Sequence, residues 1–191
     1  MNTCKRKNKI IVLLAVIGLG LLFTIEGVIH PRIKAQEEQY NAAQKNPATH
    51  DLKSILPYKN KYMGNHINFI HLNNTLPLAD IPKTYQLYPE ELTANIHYKE
   101  SVENLNEREI KRAILYNATA SFVLIDNLQA VRYHFSDASY VIKRTSVEKW
   151  YGTTLTSLQN TGVWRRNVQS KISDDAYVTA FFSQHIQTSS S

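Results

Sequence analysis

The chain has 191 residues, 43% of them hydrophobic and 20% charged, which suits one domain with an appended segment. Four of its 22 basic residues (Lys5, Arg6, Lys7 and Lys9) precede the first apolar run, and from His30 onward 18 basic residues stand against 15 acidic ones. The net charge of +6 is therefore spread too thinly to form a nucleic-acid-binding surface, and no nucleic-acid partner is expected.

The first predicted element is a transmembrane helix over residues 10–29. Residues 10–25 carry no charge, and extension to Ile29 gives twenty residues, about 30 Å of helix, which matches the hydrocarbon core of a bilayer. His30-Pro31 is expected to end this helix. The basic segment 1–9 is then predicted to stay in the cytoplasm, and the rest of the chain to lie outside the cell membrane as a single-pass protein.

The N-terminal segment could also be a cleaved secretory signal or a lipoprotein signal. A secretory signal cleaved after Ala35 is the alternative to a retained anchor, but Ala35 lies ten residues beyond Ile25, so we expect retention. The only cysteine, Cys4, precedes the apolar run and therefore does not fit a lipoprotein signal. A single cysteine also excludes an intrachain disulfide and a thiolate metal cluster.

After the anchor, residues 30–49 are polar and predict a stalk that ends at Asn46-Pro47. The compact domain is expected to begin near His50, with a short helix capped by Asp51, and to extend to residue 152. A loop over residues 58–65 follows. Its Gly64-Asn65 step suits a turn or the cap of the next helix.

That next helix begins at His66 and stops before Pro77, and its apolar face is predicted to contain Ile67, Ile70 or His71, and Asn74. Residues 85–88 and 92–99 predict two strands joined by a turn at residues 89–91. The second strand alternates cleanly, so one side of it is expected to face the core.

A long central helix is predicted over residues 110–128, because apolar residues recur there every three to four positions. Residues 131–135 and 140–143 predict a second hairpin. A helix capped by Thr145 or Ser146 and ended by Gly152 follows it. The C-terminal extension, residues 153–191, predicts one more helix, capped by Ser173, and a frayed tail.

These elements predict an α+β fold. Two hairpins would form an antiparallel sheet of about four strands, packed on one face against the long central helix and the further helices.

Three segments carry a family resemblance. They are residues 58–65 (YKNKYMGN), residues 117–127 followed by 131–135 (NATASFVLIDN and VRYHF), and residues 141–144 leading to 150–152 (VIKR and WYG). In this order and spacing they resemble the bacterial domain-of-unknown-function family 4825, over about residues 50–152. The resemblance implies an extracytoplasmic module without an established activity. At Asn65 this sequence departs from the aspartate expected of the family.

The sequence contains no constellation that is typical of catalysis, so the protein is expected not to be an enzyme, and no cofactor or metal is expected. His97 and His134 fall on the polar side of their strands and are the only histidine pair that one sheet face could bring together. Asn117 is interpreted as a buried amide bonded to the backbone, and Asp126-Asn127 as the cap of the long helix.

Two basic-aromatic segments are the candidate interaction surface, because Tyr, Trp and Arg are enriched at recognition surfaces. Their residues are Lys59, Lys61, Tyr62 and Gly64 in the first segment and Trp164, Arg165 and Arg166 in the second. The sequence therefore favours an interaction or sensory module at the cell envelope, with a partner protein in the envelope or membrane. The alternatives are a structural accessory domain without a ligand and an envelope hydrolase with an unrecognised site.

Overall fold

A computed structural model of the chain describes residues 13–14 and 16–186, and the backbone of residues 189–190. The predictions for the basic segment 1–9, for Cys4, for the start of the anchor at Ile10 and for the chain end at Ser191 lie outside the described residues. Two compact units divide the chain, Met1–Ala42 and Ala43–Ser191.

The described helices are, in chain order, α1 (Val16–Lys45), α2 (Leu52–Ile55), α3 (His66–Thr75), α4 (Glu107–Leu124), α5 (Arg144–Tyr151), α6 (residues 161–172) and α7 (Asp175–His185). The strands are β1 (Lys83–Tyr88), β2 (Thr93–Tyr98), β3 (Ala130–His134), β4 (Ala138–Lys143) and the short β5 (Ser189–Ser190).

Helix α1 continues through His30-Pro31, so the prediction that it ends there is wrong. Immediately before the proline, Ile25–Ile29 form a π-helical turn in which the N–H of His30 donates to the carbonyl of Ile25. Such a wider turn accommodates proline, which has no N–H to donate and crowds the preceding turn of an α-helix. By its length and composition α1 could cross a membrane.

The sheet confirms the α+β class, with one correction. Strands β1 and β2 pair antiparallel, as do β3 and β4, so both predicted hairpins are present. The two hairpins, however, join through β2 and β3, which run parallel. The sheet is therefore mixed rather than antiparallel, because α4 returns the chain from the end of β2 to the start of β3, and such a crossover places successive strands in the same direction.

One face of the sheet packs against the helices. On the central strands, Ala94, Ile96, Val131 and Tyr133 are fully buried, and they alternate with residues of the opposite face. On that opposite face the register aligns His97 with His134 and Asn95 with Arg132. Polar side chains therefore cover the face of the sheet that points away from the helices.

Helix α4 is the centre of the compact unit. Asn106 caps it by accepting hydrogen bonds from the N–H groups of Arg108 and Glu109. Helices α5, α6 and α7 all contact α4, so its side chains from Ala113 to Leu124 are buried all round rather than along one stripe. The burial includes Thr119 and Ser121, which are 0% exposed.

The prediction that α4 extends to Leu128 is wrong by one turn. The chain leaves helical geometry at Ile125, and a backbone bridge to Asn60 replaces the helical hydrogen bonds. In this bridge the N–H of Asn60 donates to the Leu124 carbonyl and the N–H of Asp126 donates to the Asn60 carbonyl. Asp126 and Asn127 consequently follow this bridge and do not cap the helix.

Other helices differ from the sequence prediction in detail. Helix α3 buries Phe69, Leu72 and Asn73, whereas Ile67, on the predicted apolar face, is 69% exposed. Helix α5 begins at Arg144, before the predicted caps Thr145 and Ser146, and ends at Gly152 as predicted. Helix α7 is capped by Asp174, one residue after the predicted Ser173, because the Asp174 carboxylate accepts from the N–H of Ala176.

The C-terminal residues contribute directly to the core of the compact unit. Helix α6, which the sequence analysis did not anticipate, contains a π-helical turn at Arg165–Gln169. Its side chains Trp164, Val168 and Ile172 are 0% exposed, and so is Phe181 of α7. Residues 153–186 are thus packed into the same compact unit as the sheet.

Candidate functional site

The loop of residues 58–65 is held at its middle by the backbone of α4. Asn60 donates its N–H to the Leu124 carbonyl at 2.8 Å and accepts from the N–H of Asp126 at 3.1 Å. The side-chain oxygen of Asn60 also accepts from the N–H of Tyr62, at 2.9 Å. A short backbone bridge therefore sets the direction in which the rest of the loop leaves the compact unit.

A second attachment follows at Met63, whose side chain is only 1% exposed. Its N–H donates to the side-chain oxygen of Asn127 at 2.7 Å. Two residues later, Asn65 caps α3 by accepting from the N–H of Asn68. Hydrogen bonds thus fix the loop at Asn60, at Met63 and at Asn65.

Exposed side chains of this loop and of the first turn of α3 form what we name the Tyr62 patch, made of Lys59, Lys61, Tyr62 and Ile67. Tyr62 and Ile67 are 61% and 69% exposed. Among the described residues of the compact unit, they are the only large hydrophobic ones that are mostly exposed to solvent. They lie on either side of the turn at Gly64-Asn65. These two exposed apolar side chains make this part of the surface the candidate contact site.

Two lysines give the Tyr62 patch a positive charge. The ammonium group of Lys61 lies 5.5 Å from the centre of the Tyr62 ring, a cation–π distance. Lys59 donates to the side-chain oxygen of Gln159 at 2.9 Å. Around Gly64, which is exposed, an added Cβ atom would meet nothing within 4 Å, so the approach to the turn is open.

Beside Lys59 lies a cavity of about 280 Å³ that is also lined by Phe122, Asp126 and Arg144. The Arg144 guanidinium is already engaged there, since it donates to the carbonyls of Leu128 at 2.7 Å and Ile125 at 2.6 Å. It also lies 5.4 Å from the centre of the Phe122 ring. Arg144 therefore completes the hydrogen bonding of the chain after α4.

Trp164 does not belong to an interaction surface, and this part of the prediction is wrong. Its side chain is 0% exposed and meets the ring of Tyr116 edge to face, with 5.3 Å between ring centres. Its neighbours Arg165 and Arg166 are exposed. The helical geometry of α6 turns the indole into the core and the two arginines outward, because successive helical side chains point in different directions.

Arg165 lines a cavity of about 580 Å³, whose other described lining residues come from α6 and from residues 48–53. None of the residues 58–65 is among them, so the two predicted basic segments contribute to separate surfaces. Arg165 and Arg166 are therefore not part of the Tyr62 patch.

The innermost wall of this cavity contains His50, which is 1% exposed. Its Nε2 lies 2.9 Å from the Thr75 carbonyl, and its Nδ1 lies 2.9 Å from the Tyr116 hydroxyl. Burial lowers the pKa of His50, so the ring is neutral, donating from Nε2 and accepting at Nδ1. Both ring nitrogens are thus occupied by structural hydrogen bonds.

His97 and His134 lie on one sheet face, as the alternation predicted. They are register partners on β2 and β3, and their rings stack with centres 4.6 Å apart. Burial, followed by the charges of His97 and Arg132, lowers the pKa of His134. Among the described residues, no group of three or more potential metal-binding side chains accompanies the pair.

The prediction that Asn117 is a buried amide bonded to the backbone is confirmed. Asn117 is 1% exposed, and its side-chain amide donates to the Pro77 carbonyl at 2.7 Å. Asn127 has a role that the sequence did not indicate. It holds Met63, and through it the loop that carries the Tyr62 patch.

The part of the chain that contains the Tyr62 patch matches a known protein family. Residues 55–145 match the family described as Domain of unknown function (DUF4825). The chain contains a DUF4825 domain. The family resemblance noted in the sequence is therefore confirmed. No curated protein and no solved structure matches the chain.

The DUF4825 match runs from α2 to the start of α5, and it includes the loop, the whole of α4 and strands β1 to β4. The four residues of the Tyr62 patch all lie inside it, as do Asn60, Met63 and Asn127, which hold the loop in place. Arg165 and Arg166 lie beyond it. The fixed loop and its attachment to α4 are thus features of the DUF4825 domain.

The exposure of Ile67, which places it in the Tyr62 patch, was not predicted from the sequence. Its spacing from Ile70 and Asn74 suggested a core face of α3, although Asn74 is a poor core residue. The alternative stripe Phe69, Leu72 and Leu76 was present in the sequence and contains larger apolar side chains throughout. That comparison would have placed Ile67 at the surface.

Proposed function

We propose that this chain is a single-pass membrane protein whose DUF4825 domain lies outside the cytoplasm and serves as a non-enzymatic interaction module at the cell envelope. The anchor in this proposal is the apolar part of α1, preceded by a basic segment that favours a cytoplasmic N-terminus. The partner is a protein of the envelope or membrane that binds the Tyr62 patch.

The observation that carries this proposal is the fixed exposure of Tyr62. An aromatic ring that is 61% exposed, on a loop attached to the core at Asn60 and Met63, loses little conformational entropy on binding. Tyrosine is among the residues that dominate binding energy at protein interfaces. The two lysines favour a partner whose contact surface is acidic around an apolar centre.

A site-specific cross-link tests the interaction. The full chain, expressed in its own membrane, would carry a photoreactive phenylalanine analogue in place of Tyr62 or, as a control, in place of the exposed Thr84 on β1. We expect one defined adduct from position 62 and none from position 84. The double change Lys59→Glu and Lys61→Glu should reduce that adduct several-fold. Equal adducts from both positions, or none from position 62, would contradict the proposal.

Membrane topology is tested separately. A reporter enzyme that is active only outside the cytoplasm, fused after Ser191, should be active, and the intact chain should stay in the membrane fraction after a high-salt wash. Activity of a cytoplasmic reporter at the same position would overturn the proposed orientation. An N-terminus at Gln36 in the mature protein would show that the helix is a cleaved signal.

A further inference from the structure

All residues of helix α1 from Ile25 to Tyr40 are exposed, and one line of side chains along this part of the helix is mostly apolar. Ile25, Ile29, Ile33 and Tyr40 are 38%, 46%, 47% and 49% exposed. Together with Gln36 they are spaced by four, four, three and four residues. From Ile29 to Tyr40 this is the alternating spacing of the contact seam in a two-stranded coiled coil. We name these five residues the stalk stripe.

The π-helical turn at Ile25–Ile29 keeps the stalk stripe on one side of the helix. In an unbroken seam the position three residues before Ile29 would be Glu26, a carboxylate. Because a π turn takes up an additional residue, Ile25 replaces Glu26 on that side. Glu26 instead pairs with His30, the residue that follows Ile29, and the Nδ1 of His30 lies 3.3 Å from its carboxylate.

The charged residues beside the stripe complement a second copy of the same helix. With Ile33 and Gln36 in the seam, Arg32 and Glu37 are the flanking positions that face each other between two parallel helices, five residues apart. Both side chains are exposed. A parallel pair therefore forms Arg32–Glu37 ion pairs on both sides of the seam, and the two Gln36 amides meet across it.

We propose that two copies of this chain associate in parallel through the stalk stripe. Two heptads are short for a stable coiled coil in water, so the stalk alone is not sufficient. The stripe continues at Ile25 into the apolar part of α1, and anchoring in one bilayer would orient the copies in parallel and raise their effective concentration. The occupant of the exposed face is therefore a second copy of α1.

Disulfide cross-linking of the full chain in its membrane tests this directly. In a Cys4→Ser background, single cysteines would replace residues of the seam and, as matched controls, residues on the outer side of the same turns. The seam variants are Ile33→Cys, Gln36→Cys and Tyr40→Cys, and the controls are Lys34→Cys, Glu38→Cys and Asn41→Cys. We expect oxidised dimers several-fold more abundant at the seam, where facing residues are within disulfide reach.

Charge reversal distinguishes a specific parallel pair from random collision. In the Ile33→Cys chain, either Arg32→Glu or Glu37→Arg alone should reduce the dimer, and the two changes together should restore it. Cross-linking that is equal at all six positions, or absent from all of them, would overturn the proposal, the second result meaning that lipid or another surface covers the stripe. Failure of the double change to restore the dimer would overturn the parallel register.

Discussion

His50 joins separate segments of the compact unit. Its ring bonds to the end of α3 at Thr75 and to the middle of α4 at Tyr116. Its carbonyl accepts from the side-chain amide of Gln169 in α6, at 2.7 Å. His50 therefore connects the start of the domain to three helices, two through its ring and one through its carbonyl. Burial opposes protonation of this ring more strongly than the Thr75 carbonyl and the Asp51 carboxylate favour it.

We expect the protein to lose stability as the pH falls below about 6.5, the ordinary pKa of histidine in an unfolded chain. Because burial lowers the pKa of His50 in the folded state, the unfolded state binds the proton more readily. The stabilisation is therefore complete above that pH and lost progressively below it. His134, whose pKa is also lowered, contributes with the same sign.

Urea midpoints of the full chain in detergent, measured between about pH 7 and pH 5.5, check this expectation while most carboxylates stay ionised. The variant His50→Gln should be less stable at neutral pH by about 1–3 kcal/mol, since it leaves buried partners unpaired, but its midpoint should change less with pH. Thr84→Gln, at an exposed position without a titratable group, should keep the original slope. An unchanged slope in His50→Gln would show that other groups cause the dependence.

Asn127 is the residue on which the position of the Tyr62 patch depends most directly. In Asn127→Ala the N–H of Met63 loses its acceptor, and we expect faster hydrogen exchange across residues 61–65 with a loss of about 1–3 kcal/mol in stability. Gln86→Ala, at an exposed position on β1, is the control and should leave exchange in the loop unchanged. Equal protection in the two variants would mean that the loop is held by other contacts.

At the level of elements, α4 supplies the centre of the core. Phe122 is 1% exposed and contacts the Arg144 guanidinium through its ring face. Truncation of a buried Phe to Ala costs about 3–5 kcal/mol, so Phe122→Ala should unfold at a much lower urea concentration than the unchanged chain. This loss is a large part of the roughly 5–15 kcal/mol that stabilises a domain.

The control for this variant is Tyr62→Ala, which removes an aromatic ring of similar size from the surface. Because Tyr62 is 61% exposed, we expect the free energy of unfolding of this variant to stay within about 0.5 kcal/mol of that of the unchanged chain. A control on α4 itself would be less suitable. Thr119, for example, is fully buried, and its hydroxyl donates to the Leu115 carbonyl at 2.7 Å. Equal midpoints for Phe122→Ala and Tyr62→Ala would contradict the packing of α4.

Two elements show where local patterns and observed helices diverge. Pro31 usually ends a helix, yet the π turn before it lets α1 continue to Lys45. In α6, Trp164, Val168 and Ile172 recur every four residues, a helical signal that the adjacent Arg165-Arg166 obscured. In both places a π-helical turn lies at the point where the prediction failed.

At the scale of the whole molecule, several tyrosines anchor the core by their rings. Burial raises the pKa values of Tyr98, Tyr116, Tyr133 and Tyr151, and it raises the pKa of Tyr177 to about 12. Since these values lie above those of an unfolded chain, the stability they contribute is present below about pH 10 and lost as the pH rises beyond it.

We therefore expect two phases when the protein is titrated with alkali. A first phase should come from tyrosines that are not buried, and the buried ones should ionise only in a later, cooperative step that coincides with loss of circular dichroism. Tyrosinate absorbance and circular dichroism recorded on the same sample measure both phases. A single gradual ionisation, complete before the dichroism changes, would contradict the burial of these rings.

Features that depend on neighbouring residues could be predicted from the sequence. These include the hairpins, the start of α3 at its Asn65 cap, the end of α5 at Gly152, the apolar run of α1 and the membership of residues 55–145 in DUF4825. Caps, turns and alternation act over a few residues, so their signals are readable in the chain.

Contacts between distant segments became known only from the folded chain. The parallel pairing of β2 with β3 and the backbone bridge between Asn60 and Ile125 both depend on residues far apart in the chain. The same holds for Asn127, which holds a loop 64 residues before it. These features could not be predicted, because side-chain burial depends on which elements pack together, and several packings are compatible with the same local pattern.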